Sequence, residues 1–250
     1  MLEVKNLSKV YAHHGAHLMA IENMNCTIRE REFAALVGPS GGGKTTLLKI
    51  IAGLEAPDAG SILLDGAPVA GPGKDRGLIF QQCTLFPWLT VAQNIAFGLD
   101  ASLSPEEKKA EVGSYLEATS LTRYAGLFPR QLSGGMRQRA ALARTLAARP
   151  RVLLMDEPFG ALDAQTREQM QELLLQLWQH HQSTVIFVTH DVSEAVFLAD
   201  TVHVLTARPL QLKKTFIIPF ARPRQHSLKR SAEFFECVSA VAGELETNLY

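Results

Sequence analysis

The segment Gly38-Pro39-Ser40-Gly41-Gly42-Gly43-Lys44-Thr45 sets four glycines ahead of a lysine and a hydroxyl. That spacing suits a polyphosphate. Such an anion needs a ring of backbone N–H donors, and glycine lets the chain curl closely enough to supply them. A helix opening at this loop would add free amides and the positive end of its dipole. Lys44 would then reach the β and γ oxygens. Thr45 would offer its hydroxyl to Mg²⁺, with Thr46 beside it in the same nucleotide site. A plain glycine-rich turn is the alternative, and the strand before the loop and the helix after it argue against that.

A second group of reactive side chains ends an apolar run. Val152-Leu153-Leu154-Met155 reads as a buried strand, and Asp156 and Glu157 follow it. In a chain with such a phosphate loop, Asp156 is expected in the Mg²⁺ shell. Glu157, at the strand end, is expected to turn towards the γ-phosphate and to orient or deprotonate the attacking water. His190 follows the run 185–189, at the strand edge where α/β proteins bind ligands.

The elements that must hold these groups alternate between β-type runs and helical patterns. This predicts an α/β fold with a largely parallel core sheet. Residues 33–37 lead into the glycine loop, and 45–52 follow with helical spacing at Leu47, Leu48, Ile50 and Ile51, closed by Gly53. Residues 2–7 and 18–28 read as edge strands of a small antiparallel sheet. Segments 61–65 and 77–80 add to it or to the core. From about Cys83 to Pro150 the pattern turns helical. There Ser104-Pro105-Glu106-Glu107 reads as N-cap, N1 proline and capping-box glutamate of a helix reaching about Ala118. Strands return at 152–155, 185–188 and 202–205. Between the first two, Met170, Leu173, Leu174, Leu177 and Trp178 share one helix face, a core stripe. The tail 219–250 carries a polar turn and a helix from about Leu228.

Composition narrows the classes. A chain of 250 residues holds one large α/β domain, or a core with an inserted subdomain. Lys plus Arg (25) equals Asp plus Glu (25), so no global field points to nucleic acid or an anionic membrane. Cys26, Cys83 and Cys237 match no metal or redox spacing, and three cannot all pair within one chain, which suggests a reducing, cytosolic setting. Glu3 and Lys5 interrupt any signal peptide, and no apolar run approaches the roughly 20 residues of a membrane span. Any membrane role must come through a partner. His13, His14 and His17 read as a solvated loop rather than a metal site. His180 and His181 end a helix, where cations suit the dipole. Arg222, Arg224, Lys229 and Arg230 read as a solvated face.

Leu132-Ser133-Gly134-Gly135-Met136-Arg137-Gln138 resembles the signature motif of ABC-family ATPases. Physically, Ser133 can cap a helix while Gly134 and Gly135 expose amides at its positive end, a second anion site. The resemblance covers nearly the whole chain. It implies a P-loop NTPase (RecA-like) core with an antiparallel β subdomain and an inserted α-helical signature subdomain at about 83–150. The ATP-binding domain would span 1–218, and 219–250 would be a short tail. By the same resemblance Tyr11 stacks on adenine, and Gln81 senses Mg²⁺ and the attacking water. Asp163 lies in a loop that crosses a dimer interface, and His190 is the switch histidine that contacts the γ-phosphate. The loop Gly38, Pro39, Ser40, Gly41, Gly42, Gly43 holds ATP together with Ser133, Gly134 and Gly135. Gly42 departs slightly, since many relatives carry cysteine or another small residue there.

Family members work as head-to-tail dimers, with ATP between one phosphate loop and the other copy's signature. This chain has one of each, so the resemblance implies a second copy or a close paralogue. Phe159-Gly160-Ala161-Leu162-Asp163 and Phe86-Pro87-Trp88-Leu89-Thr90-Val91 look like the ATP-binding subunits of bacterial importers. Gly71-Pro72-Gly73 ahead of Arg76-Gly77, with Thr166-Arg167-Glu168-Gln169-Met170, is similar to the nitrate, sulfonate and taurine group. The stretch through Trp178 and Pro219-Phe220-Ala221-Arg222 looks most like its taurine subunits. This implies multi-span permease partners reached through Phe86 to Trp88, with simple apolar packing as the alternative for those residues. It also implies an external solute-binding protein, no nucleic acid partner, and a peripheral place on the cytoplasmic face of the plasma membrane. The alternative is a soluble ABC-type ATPase acting on nucleic acid or ribosomes. Such proteins usually carry two ATPase units or a long coiled-coil insertion, neither of which is seen in this sequence.

Overall fold

The computed structural model describes residues 1–13, 16–81 and 84–246. His14 and Cys83 lie outside the described residues. In chain order the elements are β1 (Leu2–His13), β2 (Ala16–Ile28), β3 (Phe33–Val37), α1 (Lys44–Ile51), β4 (Ala59–Leu64), β5 (Ala67–Pro68) and β6 (Arg76–Ile79). Then come α2 (Val91–Gly98), α3 (Pro105–Ala118), α4 (Gly134–Ala147), β7 (Val152–Asp156) and α5 (Ala164–His181). The chain closes with β8 (Thr184–Thr189), α6 (Val192–Leu198), β9 (Thr201–Leu205), β10 (Leu212–Ile217) and α7 (Ala232–Glu246).

The chain forms two compact units. The first holds residues 1–73, 154–157 and 184–250, and the second holds 74–153 and 158–183. In the first, β2-β1-β4-β5 make an antiparallel sheet. The larger sheet runs β10-β9-β3-β8-β7, with β6 next in order beside β7. β3 pairs in parallel with both β8 and β9, while β10 is antiparallel to β9. Every residue of β3, β7 and β8 is buried. Strands covered on both faces read as unbroken apolar runs, which is why these three stood out in the sequence.

In the second unit the capping box at Ser104 forms as its residues dictate. The Ser104 hydroxyl accepts from Glu107 N, and the Glu107 carboxylate accepts from Ser104 N at 2.8 Å. The stripe of α5 is buried along Met170, Leu173, Leu174, Leu177 and Trp178. The segment expected at 77–80 forms β6 at Arg76–Ile79, in the larger sheet.

Three expectations are corrected. His17 lies in β2, paired with Ala12, because the β1–β2 hairpin continues to His13 and Ala16 where a loop was expected. The tail helix begins at Ala232, after a 3₁₀ turn at His226–Arg230. Of the basic tail, Arg230 is exposed as expected, but Arg222 and Arg224 are not part of a solvated face. Arg224 is only 7% exposed and Arg222 is half-buried. Arg224 Nη1 donates to the carbonyls of Val196, Phe197 and Ala199, and Arg222 Nη2 to that of Leu198. These are the last, otherwise orphaned carbonyls of α6, and guanidinium groups satisfy both their hydrogen bonding and the negative end of the dipole. Lys229 sits over the Phe197 ring, 4.6 Å from its centroid.

Candidate nucleotide site

Register decides what meets at the carboxyl edge of the parallel strands. Val37 of β3 pairs with Thr189 of β8 and Val204 of β9. The glycine loop, His190 and the β9–β10 loop therefore leave the sheet side by side. Glu157 N donates to Val188 O at 2.9 Å, which brings the end of β7 to the same level. Open α/β sheets bind ligands at this edge.

The phosphate loop turns through Gly41 (φ +69°) and Gly43 (φ +99°), conformations that favour glycine, and delivers the chain into α1. Gly38 and Gly42 are buried, Pro39 is half-buried, and Ser40 is exposed. Lys44 Nζ, itself buried, donates to the carbonyls of Gly38 and Pro39 at 2.8 Å each. Burial pushes its pKa down, while the nearby carboxylates of Glu157 and Asp156 push it up. A desolvated ammonium gains more from an arriving anion than a solvated one does. The departure at position 42 also has a physical reading. A Cβ there would stand 3.0 Å from Pro39 O and 3.5 Å from Thr206 O, so there is room only for something small.

The Thr45 hydroxyl donates to Asp156 Oδ2 at 2.8 Å. Burial raises the Asp156 pKa, and the bond from Thr45 lowers it. These two hard oxygens fit a magnesium ion. Neighbouring corners of an octahedron with Mg–O bonds near 2.1 Å lie about 2.9 Å apart, close to the spacing of this pair. A bound cation would also offset the desolvation that raises the carboxyl.

Glu157 adopts φ +44°, uncommon for a residue with a side chain. Its Oε2 lies 3.0 Å from His190 Nδ1. A carboxylate only accepts, so the ring proton of this bond sits on Nδ1. His190 is held from behind. Its neighbour Thr189 donates to the buried Glu194 carboxylate at 2.6 Å, and the Thr189 hydroxyl accepts from Asp191 N at 3.1 Å. The Tyr11 and Thr46 hydroxyls share a hydrogen bond of 3.2 Å.

The signature residues lie in the second unit. Ser133 is the N-cap of α4 and accepts from Met136 N at 3.3 Å, with Gly134 and Gly135 opening the helix. Asp163 is the N-cap of α5, and its carboxylate accepts from Thr166 N (2.9 Å) and the Thr166 hydroxyl (2.7 Å). A Cβ at Gly135 would fall 2.6 Å from Thr166 Cγ2, so the starts of the two helices pack closely and a side chain at 135 would have to displace Thr166. Gln81 is exposed in a bend just before the residues left undescribed.

Two contributors were not legible in the sequence. Arg208 donates to the Gly41 carbonyl at 2.8 Å. Asn94 is fully buried on α2, where its side chain accepts from Phe86 N and donates to the carbonyls of Phe86, Leu89 and Thr90. A polar residue between Val91 and Ile95 on a buried helix face was the available signal for Asn94. It fixes the Phe86–Thr90 loop, on which Trp88 stands 69% exposed with its ring 5.5 Å from that of Phe86.

The family model described as ABC transporter matches residues 21–160, more than half of the chain. The chain belongs to the ABC transporter family. Tyr11 and His190 fall outside the matched segment. The nitrate import ATP-binding protein of a Synechocystis species is 46% identical, over 94% of this chain and 91% of its own length. The taurine import ATP-binding protein of Pseudomonas entomophila is 47% identical, over 89% of this chain and 85% of its own. Among solved structures, the dimeric post-hydrolysis state of the ATP-binding cassette MJ0796 bound to ADP and Pi superposes with a TM-score of 0.78. It is 32% identical and covers 88% of this chain and all of that one. This ABC cassette is thus an ATPase of the RecA-like P-loop class, and the two relatives named for nitrate and taurine are import ATP-binding proteins. No helix among its described residues is long and apolar enough to cross a membrane.

Proposed function

We propose that this ABC cassette is the motor subunit of an importer for a small oxyanion-bearing solute, taurine or another sulfonate, with nitrate as the second candidate. The reading of the catalytic edge rests on one observation: the Thr45–Asp156 and Glu157–His190 pairs stand at neighbouring strand ends beside Lys44. The relatives named for taurine and nitrate support the choice of solute.

In this reading Lys44 and the loop amides bind the phosphates, and Tyr11 stacks on adenine. Thr45 and Asp156 hold Mg²⁺, with Gln81 as a further contact, and the ion supplies charge neutralisation at the phosphate oxygens. Glu157 accepts a proton from the attacking water. His190, bonded to Glu157 through Nδ1, has Nε2 left to meet a γ-phosphate oxygen. Ser133, Gly134, Gly135 and Asp163 of a second copy or paralogue complete each site. Hydrolysis removes the shared γ-phosphate contacts and releases the dimer. The dimeric ADP-bound relative supports this arrangement.

The permease is proposed to dock at Trp88. Phe86 packs on Phe97 at 4.6 Å, Arg144 lies over the Phe86 ring, and these side chains border a cavity of about 920 Å³. In vesicles carrying the cassette, its permease and its binding protein, ATP should drive uptake of labelled taurine, and Trp88→Ala should cut uptake about tenfold while sparing basal hydrolysis. Uptake of nitrate but not taurine would reassign the solute. Unchanged uptake in the variant would remove Trp88 from the interface. Hydrolysis by the purified chain should rise more steeply than linearly with concentration, and strict linearity would rule out the shared site.

A further inference from the structure

The loop between β9 and β10 carries no nucleotide motif, yet it lies along the outside of the phosphate loop. Arg208 Nε donates to the Gly41 carbonyl at 2.8 Å, and a Cβ on Gly41 would come within 3.2 Å of Arg208 Nη2. Next to it, a Cβ on Gly42 would meet Ala207 Cα at 3.9 Å, and one on Gly43 would meet Leu210 Cβ at 3.4 Å. Three successive positions of the cradle are therefore backed by one short loop.

That loop is itself braced. The Thr206 hydroxyl donates to Pro209 O at 2.7 Å and accepts from Gln211 N at 2.8 Å. Leu210 N donates to Ala20 O at 2.9 Å, and Glu22 N donates to Leu210 O at 3.2 Å, which ties the loop to β2. Gln211 Nε2 adds a 2.9 Å bond to the Glu22 carboxylate. Arg208 thus projects from a fixed support.

We propose that Arg208 is a positioning residue for nucleotide polyphosphate, acting through the Gly41–Gly42 peptide. In a planar trans peptide the carbonyl of Gly41 and the N–H of Gly42 point to opposite sides. Gly42 N donates to Pro39 O at 3.3 Å, the same carbonyl that accepts from Lys44 Nζ, so the N–H side of this peptide faces the Lys44 side of the loop. A flip of that peptide would turn a carbonyl, a repulsive group, towards the phosphates. Glycines on both sides make such a flip cheap. The guanidinium holds the carbonyl outward with a charge-assisted bond. Its exposed end also places a fixed positive charge beside the cradle.

The inference rests on the nucleotide-site reading, and the test separates the two. Affinities for ADP and AMP are measured by calorimetry for wild type, Arg208→Ala, Arg208→Lys and Lys44→Ala, with thermal melting of each. ADP probes the phosphate grip without the γ-phosphate that closes the dimer. Arg208→Ala should weaken ADP about tenfold and AMP less than about twofold, with melting unchanged. Arg208→Lys, which keeps one charged donor, should restore ADP binding to within about threefold of wild type. Equal losses for ADP and AMP, or no loss for either, would overturn the proposal. If Lys44→Ala weakens ADP while Arg208→Ala does not, Arg208 alone is dismissed. If Lys44→Ala binds ADP normally, the nucleotide-site reading falls and takes the proposal with it.

Discussion

Glu157 shows how much one residue depends on its backbone. Asp156 ends a buried strand, and the next residue turns to φ +44°, which aims its carboxylate at His190 instead of continuing the strand. Holding a residue in that region costs on the order of 1 kcal/mol, and such outliers cluster at functional sites. Glu157→Gln keeps the shape and the bond to the Nδ1 proton while removing the base. Nucleotide binding should survive, and steady-state turnover should fall at least about a hundredfold. Hydrolysis at the wild-type rate in that variant would exclude Glu157 as the base. The sequence placed these carboxylates at a strand end, because an unbroken apolar run followed by two acids is a strong local signal. It did not reveal Arg208, whose contact is with a carbonyl 167 positions away.

At the scale of elements, α6 is short, and its stability comes from its ends. Asp191, directly after His190, caps its start by accepting from Glu194 N at 3.0 Å. Arg222 and Arg224 close its finish through four consecutive carbonyls. Burial, with the neighbouring Arg222 charge, pushes the Arg224 pKa down to about 10, so it remains cationic at neutral pH. Arg224→Met would fill similar volume but leave Val196, Phe197 and Ala199 carbonyls unpaired in the interior. A loss of about 3 kcal/mol in denaturant unfolding is expected, and a loss below about 0.5 kcal/mol would show that water satisfies them. The four basic residues of this tail look like a solvated face on paper because charge runs usually are, and Arg230 is exposed as that reading expects. The placement of α6 reverses it for Arg222 and Arg224.

For the molecule as a whole, two histidines work against stability in acid. Burial lowers the pKa of His181, stacked on Tyr115 at 5.7 Å, and also that of His203. Their folded-state values lie below the unfolded value of 6.5, so the folded chain binds these protons less readily than the unfolded one. Their stabilising contribution is therefore present above pH 6.5 and is lost as the pH falls towards the folded values. Melting temperature should drop from pH 7 to pH 5, and His181→Gln should flatten part of that slope. An unchanged slope would mean that other groups dominate.

The sequence by itself determined the chemistry and most of the elements. The phosphate loop, the acid pair at 156 and 157, the helix cap at Ser104 and the fully buried strands are all written within a few consecutive residues. Local hydrogen bonding and apolar periodicity act at that range. Tertiary structure decided what depends on distant segments. Residues 154–157 belong to the first unit although the chain on either side belongs to the second. Segment 76–79 found its sheet, Arg222 and Arg224 became a helix cap, and Arg208 came to rest on the phosphate loop. Each of these outcomes follows from strand register and from the need to satisfy buried carbonyls, and neither can be read before the partners are known.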